Sequence, residues 1–178
     1  MTRWHLLPMR TLVTCAVGIG VGVASPAMSE QHSVRVIDVL DGDTVVVEGY
    51  AQRVRLANID APEGDHGPHK PGQPYHAAAR RWLAEQLLGR EVAMRCFEED
   101  RYGRPICEFR RNQISLNVEM VRAGMAWANT ASPRYVRDPA VLQAQHEAQQ
   151  ARRGLWAHPA VAPWQWRREC WEDRRCPR

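Results

Sequence analysis

The sequence predicts a five-stranded OB-fold barrel carrying about three helices, a mainly β, α+β architecture. Three observations lead there. Three short β-branched runs cluster before residue 60, two more follow a stretch of helical spacing, and two further helical stretches come after those. Antiparallel strands in that order, with helices interleaved, suit a small closed barrel, a scaffold often used for nucleic acid. The scaffold alone establishes no activity.

The elements follow in order. Residues 34–39 and 44–47 are β-branched runs parted by the turn Asp41-Gly42, and residues 54–59 form the third run after a turn that starts at Gly49-Tyr50. Pairing about a turn between Gly49 and Arg53 sets Val47 against Leu56, Val45 against Asn58 and Asp43 against Asp60. The stretch 64–73 holds three Gly and two Pro and reads as a loop. Pro74 suits a first helical turn, Tyr75, Ala79, Trp82, Leu83 and Leu87 recur at helical spacing, and Gly89 is the stop. Residues 91–97 and 105–109 form a second hairpin. Ser115 or Asn117 caps a short helix with Leu116, Met120 and Val121. Asp138-Pro139 opens a last helix through Ala144, Ala148 and Ala151 that Gly154 ends. Beyond Trp156 the chain is rich in Pro, Trp and Arg, and little regular structure is expected.

These elements sort into three stretches. Residues 1–27 begin with Arg3, His5 and Arg10, continue with the apolar run 11–24, and end in small residues that permit cleavage after Ala27 or after Ser29. That is a signal peptide or an N-terminal anchor, and either delivers the following domain across a membrane. The run is short against the roughly 20 apolar residues of a spanning helix, so no stable membrane insertion is expected once the signal is cut. Residues 33–157 form one domain, and residues 158–178 a Trp/Arg-rich tail. The tail's Trp164, Trp166 and Trp171 interleave with Arg167, Arg168, Arg174 and Arg175. They stack on bases or pack against the barrel, and packing is the simpler reading.

The chain has 24 basic and 20 acidic residues, 23 of the basic ones Arg and only Lys70 Lys. Without Arg3 and Arg10 the balance is 22 against 20, a total that gives no argument for a large cationic field. Cys15 lies in the leader, leaving Cys96, Cys107, Cys170 and Cys176, an even number that reads as two disulfides in an exported protein. Pairing Cys96 with Cys107 also sets Met94 against Phe109 and Arg95 against Glu108, an apolar pair on one face and an opposite-charge pair on the other. Cys170 and Cys176 remain as a short local staple. No Cys-x-x-Cys pair exists, which disfavours a zinc ribbon. His66 and His69 beside Asp65 read as solvated loop residues.

Two like charges across a strand pair repel. A hard divalent cation between Asp43 and Asp60 removes that penalty, and oxygen-only donors fit Ca²⁺ or Mg²⁺. Glu63 lies just past the rigid Pro62, and Arg55 lies upstream on the same strand. A cation, a base and guanidinium groups are the inventory phosphodiester hydrolysis needs. Strict alternation puts Arg55 and Asp60 on opposite faces, so a bulge or bend near Ala57-Asn58 is required.

Asp41-Gly42-Asp43-Thr44, Arg55-Leu56, Asp60-Ala61-Pro62-Glu63 and Asp100-Arg101-Tyr102-Gly103-Arg104, with Gly154-Leu155-Trp156 closing, resemble the staphylococcal nuclease (thermonuclease-like) domain in order and spacing. The resemblance spans residues 34–156. It implies a Ca²⁺-dependent nuclease that hydrolyses DNA and RNA, leaving 3′-phosphates, with Asp43, Asp60 and the carbonyl of Ala61 as metal ligands. The family usually has Thr where Ala61 stands, and the carbonyl is retained. It further implies Glu63 as general base, Arg55 and Arg104 as catalytic arginines on the phosphate, and Tyr102 as a nucleotide contact. A second family tyrosine is replaced near Thr130, with Tyr135 as a substitute. The expected protein is a periplasmic or secreted monomer. A non-catalytic OB-fold nucleic-acid-binding module is the alternative, and an envelope protein using the fold for protein contacts is a second one. The intact acid and arginine set argues against the module.

Overall fold

The computed structural model describes Met1 and residues 31–177. The leader 1–27, apart from its first residue, lies outside the described residues. Barrel strands β1 (His32–Val39), β2 (Thr44–Val47) and β3 (Val54–Leu56) form a meander, and β4 (Ile59–Asp60) is a short continuation. Helix α1 (His76–Leu87) leads to β5 (Glu91–Glu99) and β6 (Pro105–Arg111), followed by β7 (Ile114–Ser115), α2 (Leu116–Arg122) and β8 (Trp127–Ala128). Helix α3 (Ala140–Gln150) ends the domain, and α4 (Pro163–Trp166) lies in the tail.

The sheet runs β3-β2-β1-β5-β6-β7, and a β3–β6 pairing joins its ends, so β1, β2, β3, β5 and β6 close a five-stranded barrel. All strands were expected antiparallel, but the closing pair is parallel, with Arg55 beside Ile106 and Leu56 beside Cys107. Buried Asn117 secures that seam. Its side-chain carbonyl accepts from the Phe109 N–H at 3.1 Å, and its amide donates to the carbonyls of Ala57 at 2.9 Å and Cys107 at 3.1 Å. Asn117 is therefore a seam residue. Ser115 is the helix cap, its hydroxyl accepting from the Val118 N–H.

The interior is apolar and continuous. Val36, Val45, Leu56, Leu83, Leu87, Met94 and Phe109 are all fully or almost fully buried there. Each such aliphatic or aromatic side chain contributes about 1.5–3 kcal/mol by leaving water. Helix α1 presents Ala79, Leu83 and Leu87 to this core at helical spacing, and Gly89 follows at φ 70°. Helix α3 stops at Gln150, earlier than the Gly154 stop expected from sequence. Gly154 serves instead as a point of close approach: a Cβ there would lie 2.2 Å from the Gly124 carbonyl oxygen. That contact brings the end of the domain onto the turn after α2.

The second hairpin has the anticipated register, Met94 opposite Phe109, Arg95 opposite Glu108 and Cys96 opposite Cys107. The Cys96 and Cys107 sulfurs are bonded at 2.01 Å, and a second disulfide joins Cys170 to Cys176. The first hairpin differs from expectation. Val45 pairs with Val54 and Thr44 with Arg55, so Asp43 does not face Asp60 across a ladder. The chain turns sooner than assumed: Gly49 sits at φ 78°, and the Tyr50 N–H reaches back to the Val47 carbonyl at 3.1 Å.

The tail also departs from the expectation of irregular chain. Pro163 starts α4, and residues Arg167–Glu172 continue it as a wider, π-type turn. Trp166 and Cys170 are buried, and the Trp166 and Trp171 indoles both donate to the Pro71 carbonyl, at 3.2 and 3.0 Å. The tail thus packs on the loop between β4 and α1.

Candidate active site

The site is built where β2, β3 and β4 converge. Asn58 takes a left-handed conformation at φ 68°, producing the bend that strict alternation required. Its side-chain carbonyl accepts from the N–H groups of Arg137 and Asp138 at 2.7 and 3.2 Å, so the bend is held from outside as well. The bend turns Asp60 to the same side as Arg55. Gly42 brings the other wall close. A Cβ on Gly42 would lie 2.6 Å from the Ala61 Cβ and 2.9 Å from that of Ala79, so only glycine lets the turn approach. The approach lets the Asp43 carboxylate accept from the Ala61 N–H at 2.9 Å.

Arg55 then spans the two acids. Its Nη1 donates to Asp43 at 2.9 Å and its Nη2 to Asp60 at 2.7 Å. Asp60 is fully buried and Asp43 nearly so. Burial raises the pKa of Asp43 above the ordinary carboxylate value, with Arg55 opposing and Asp41 adding to the rise. For Arg55, burial alone would favour the neutral form, but Asp43 and Asp60 overcome it and hold the guanidinium more firmly charged.

Glu63 follows Pro62 on the same rim. Its N–H is held by the Gln73 side chain at 3.2 Å, and its carbonyl accepts from the Gln73 N–H at 2.8 Å. Its pKa is raised to about 7: burial is the largest cause, Arg167 opposes it, and Asp43 and Asp60 add to the rise. A carboxylate poised there is matched to proton transfer near neutral pH.

Arg104 and Tyr102 come from the β5–β6 loop. Arg104 is not on the Asp43–Asp60 pair: it pairs with Asp100, its Nε at 2.8 Å and its Nη2 at 2.7 Å from Asp100 Oδ2. Tyr102 is exposed, with the Arg101 and Arg104 guanidinium groups over its ring at 4.8 and 5.6 Å. Both residues line one open cleft of about 760 Å³ together with Asp43, Arg55, Ala61, Glu63, Tyr135 and Arg137. His66 also lines it, close to Glu63, but the indole of Trp171 packs edge-on to its ring.

One site residue was missed in the sequence. Arg167, from the tail, donates to Asp60 Oδ2 through Nη2 at 2.9 Å and to Asp60 Oδ1 through Nη1 at 3.3 Å, and also pairs with Glu63. No sequence signal separates it from its neighbours Arg168, Arg174 and Arg175.

Asp43, Glu63, Arg55 and Arg104 thus line one cleft, with buried Asp60 behind it on Arg55 and Arg167. The family model described as staphylococcal nuclease homologue matches residues 53–158. The chain belongs to the staphylococcal nuclease family. It is 37% identical over 175 residues to a micrococcal nuclease of Shigella flexneri, covering 90% of this chain and 94% of that one. It is 30% identical over 134 residues to a thermonuclease of Staphylococcus hyicus, covering 73% and 79%. Protein ParB of Escherichia coli is 39% identical over 181 residues, covering 95% and 96%. As a member of this nuclease family, the chain is a hydrolase acting on phosphodiester bonds.

Proposed function

We propose that this nuclease cleaves DNA and RNA in a Ca²⁺-dependent reaction after export, as a periplasmic or secreted monomer. The observation that carries the reading is the Arg55 guanidinium bridging buried Asp43 and Asp60 at the head of a cleft that also holds Glu63 and Arg104. Its two disulfides fit an oxidising compartment. Among the described residues, no helix is long and apolar enough to cross a membrane.

The donor chemistry fits a hard divalent cation. Asp43 and Asp60 offer carboxylate oxygens in a buried setting without nitrogen or sulfur donors, and the Ala61 carbonyl is available by resemblance. When bound, such a cation would polarise a phosphoryl oxygen. Glu63 accepts the proton of the attacking water. Arg55 and Arg104 donate to the phosphate oxygens as charge grows on them, and Tyr102 supplies a face for the neighbouring nucleotide. Water adds at phosphorus, the bond to the 5′ oxygen breaks, that oxygen takes a proton from solvent to leave as the 5′-hydroxyl, and the 3′-phosphate remains.

The test is cleavage of DNA and of RNA by purified protein with Ca²⁺ and then with chelator. Ca²⁺-dependent cutting that chelation abolishes is expected. Tight nucleic-acid binding with no cleavage under any divalent ion would instead make the chain a binding module.

A further inference from the structure

We propose that Arg167 is an internal counter-ion that competes with the divalent cation for Asp60, so that cation binding and docking of the tail are reciprocally coupled. The inference rests on the cation reading of Asp43 and Asp60 and goes beyond it, to a residue outside the stretch 53–158 that the family model matches.

The contacts of Asp60 carry the argument. Its Oδ1 receives Arg55 Nη2 at 2.7 Å and Arg167 Nη1 at 3.3 Å, and its Oδ2 receives Arg167 Nη2 at 2.9 Å. Both oxygens of a fully buried carboxylate therefore already face guanidinium groups. Oδ2 accepts from Arg167 and keeps a second lone pair, but a dication seated on it lies within a few ångströms of the guanidinium and the two positive groups repel. The cation and the arginines therefore compete for Asp60.

Their settings decide which arginine yields. Arg55 grows from a barrel strand, is only 19% exposed, and is held by Asp43 as well. Arg167 is 34% exposed and grows from a short turn outside the barrel. The tail is held there by buried Trp166 and Cys170, by the two indole bonds to Pro71, by the Gln73 amide on the Val161 carbonyl, by Lys70 and His66 against the Trp171 ring and by the Arg174–His69 hydrogen bond. None of these contacts is part of a strand ladder, whereas Arg55 stands on a strand paired on both sides. Arg167 is therefore the group that the cation displaces. Two ligands that exclude one another are linked, and each weakens the other by the same factor. The tail then tunes how much Ca²⁺ the site requires, and Gln73 couples it to the backbone of Glu63.

The experiment is a calorimetric titration of Ca²⁺ into the full chain without nucleic acid, for wild type, Arg167→Gln and Arg168→Gln. Arg168 is exposed and lies 3.9 Å from its neighbour Glu169, away from Asp60, so it controls for loss of one positive charge. Arg167→Gln is expected to bind Ca²⁺ about tenfold more tightly, within the usual range for coupled sites, and Arg168→Gln to match wild type. On wild-type protein, which needs no variant to fold, hydrogen exchange of residues 163–172 is expected to quicken at saturating Ca²⁺ while β5 and β6 stay protected. Equal or weaker binding by Arg167→Gln overturns the proposal, and so does a tail that exchanges more slowly with Ca²⁺. Failure of wild type and variant alike to bind Ca²⁺ would sink the cation reading itself. A wild type that binds Ca²⁺ and cuts DNA, with an affinity indifferent to Arg167, would sink only the coupling.

Discussion

The barrel and the tail each supply an arginine to the same carboxylate, and they do so by different means. Arg55 is placed by the barrel: β3 is fixed by ladders to β2 and β6, the Asn58 bend turns Asp60 toward it, and Gly42 lets Asp43 close in. Arg167 is placed by a short tail whose Trp166, Cys170 and Trp171 pack on the loop between β4 and α1 and whose indoles and backbone bond to Pro71 and Gln73. The ordering entropy of Arg55 is met when the barrel folds, whereas that of Arg167 is met only while the tail is docked. A barrel arginine can therefore belong to the chemistry in every turnover. A tail arginine is suited to being exchanged.

The largest effects should fall on the barrel side. Glu63→Gln removes the base while keeping shape, and turnover should fall by about 10²–10⁴ with substrate binding preserved. A variant that cuts at nearly the wild-type rate would take Glu63 out of the mechanism. Arg55→Lys should come next, because an ammonium cannot bridge Asp43 and Asp60 as the planar fork does. A fall of about 10² in kcat is expected, together with a lower melting temperature. Arg104→Lys should also reduce kcat rather than raise KM, but with little change in melting, since Arg104 pairs with Asp100 and Tyr102 on one loop. Equal melting losses for the two lysine variants would erase the distinction between barrel-held and loop-held arginines.

Much of this was readable from the chain, and the exceptions have a common cause. The Cys96–Cys107 register was legible because β5 and β6 are long and three side-chain pairs agree in one alignment. The bend at Ala57-Asn58 was legible because Arg55 and Asp60 could not otherwise share a side. The β2–β3 register was not, since a four-residue strand against a three-residue strand gives alternation too little length to choose the turn. The parallel β3–β6 seam and the role of Asn117 in it depend on residues far apart in sequence. Arg167 reaches Glu63 and Asp60 across more than a hundred positions, and nothing local to the tail marks that contact. Local pattern reveals local pairing; contacts set by closure or docking leave no periodic trace.

A smaller effect concerns pH and sharpens the same contrast. Glu63 has its pKa raised to about 7 in the folded protein by burial, above its ordinary value of 4.5. The folded state therefore holds a proton that the unfolded state releases between those values. Stability falls as pH rises through this window, and the penalty is complete above about 7. The whole window corresponds to no more than about 3 kcal/mol. In metal-free protein, Glu63→Gln should show a flatter stability profile from pH 4.5 to 7 than wild type. Arg167→Gln should show a steeper one, because Arg167 favours the ionised form. A profile unchanged by either substitution would mean that the Glu63 carboxyl is not held in this environment.

The disulfides give the finest division between the two regions. Cys96 and Cys107 close a loop with a sequence separation of 11, and the bridge joins neighbouring barrel strands. On the chain-entropy relation that loop stabilises by about 3 kcal/mol. The Cys170–Cys176 separation is 6, and the same relation gives about 2 kcal/mol. Loop size alone would make the two bridges nearly equal. The regions they cross-link make them unequal, because the relation applies to whatever unit unfolds with the loop. The strand bridge constrains the barrel and so should appear in the main melting transition. If the tail undocks as proposed for Arg167, its bridge constrains a segment that opens while the barrel stays folded. Cys96→Ser with Cys107→Ser should therefore lower global stability by about 2–3 kcal/mol in denaturant. The same pair should also reduce kcat, since the bridge anchors both ends of the loop carrying Tyr102 and Arg104. Cys170→Ser with Cys176→Ser should move the main transition by less than about 0.5 kcal/mol while quickening amide exchange across residues 163–172. Matching losses from the two double variants would show that the tail unfolds with the barrel, and Arg167 would then be as fixed a part of the site as Arg55.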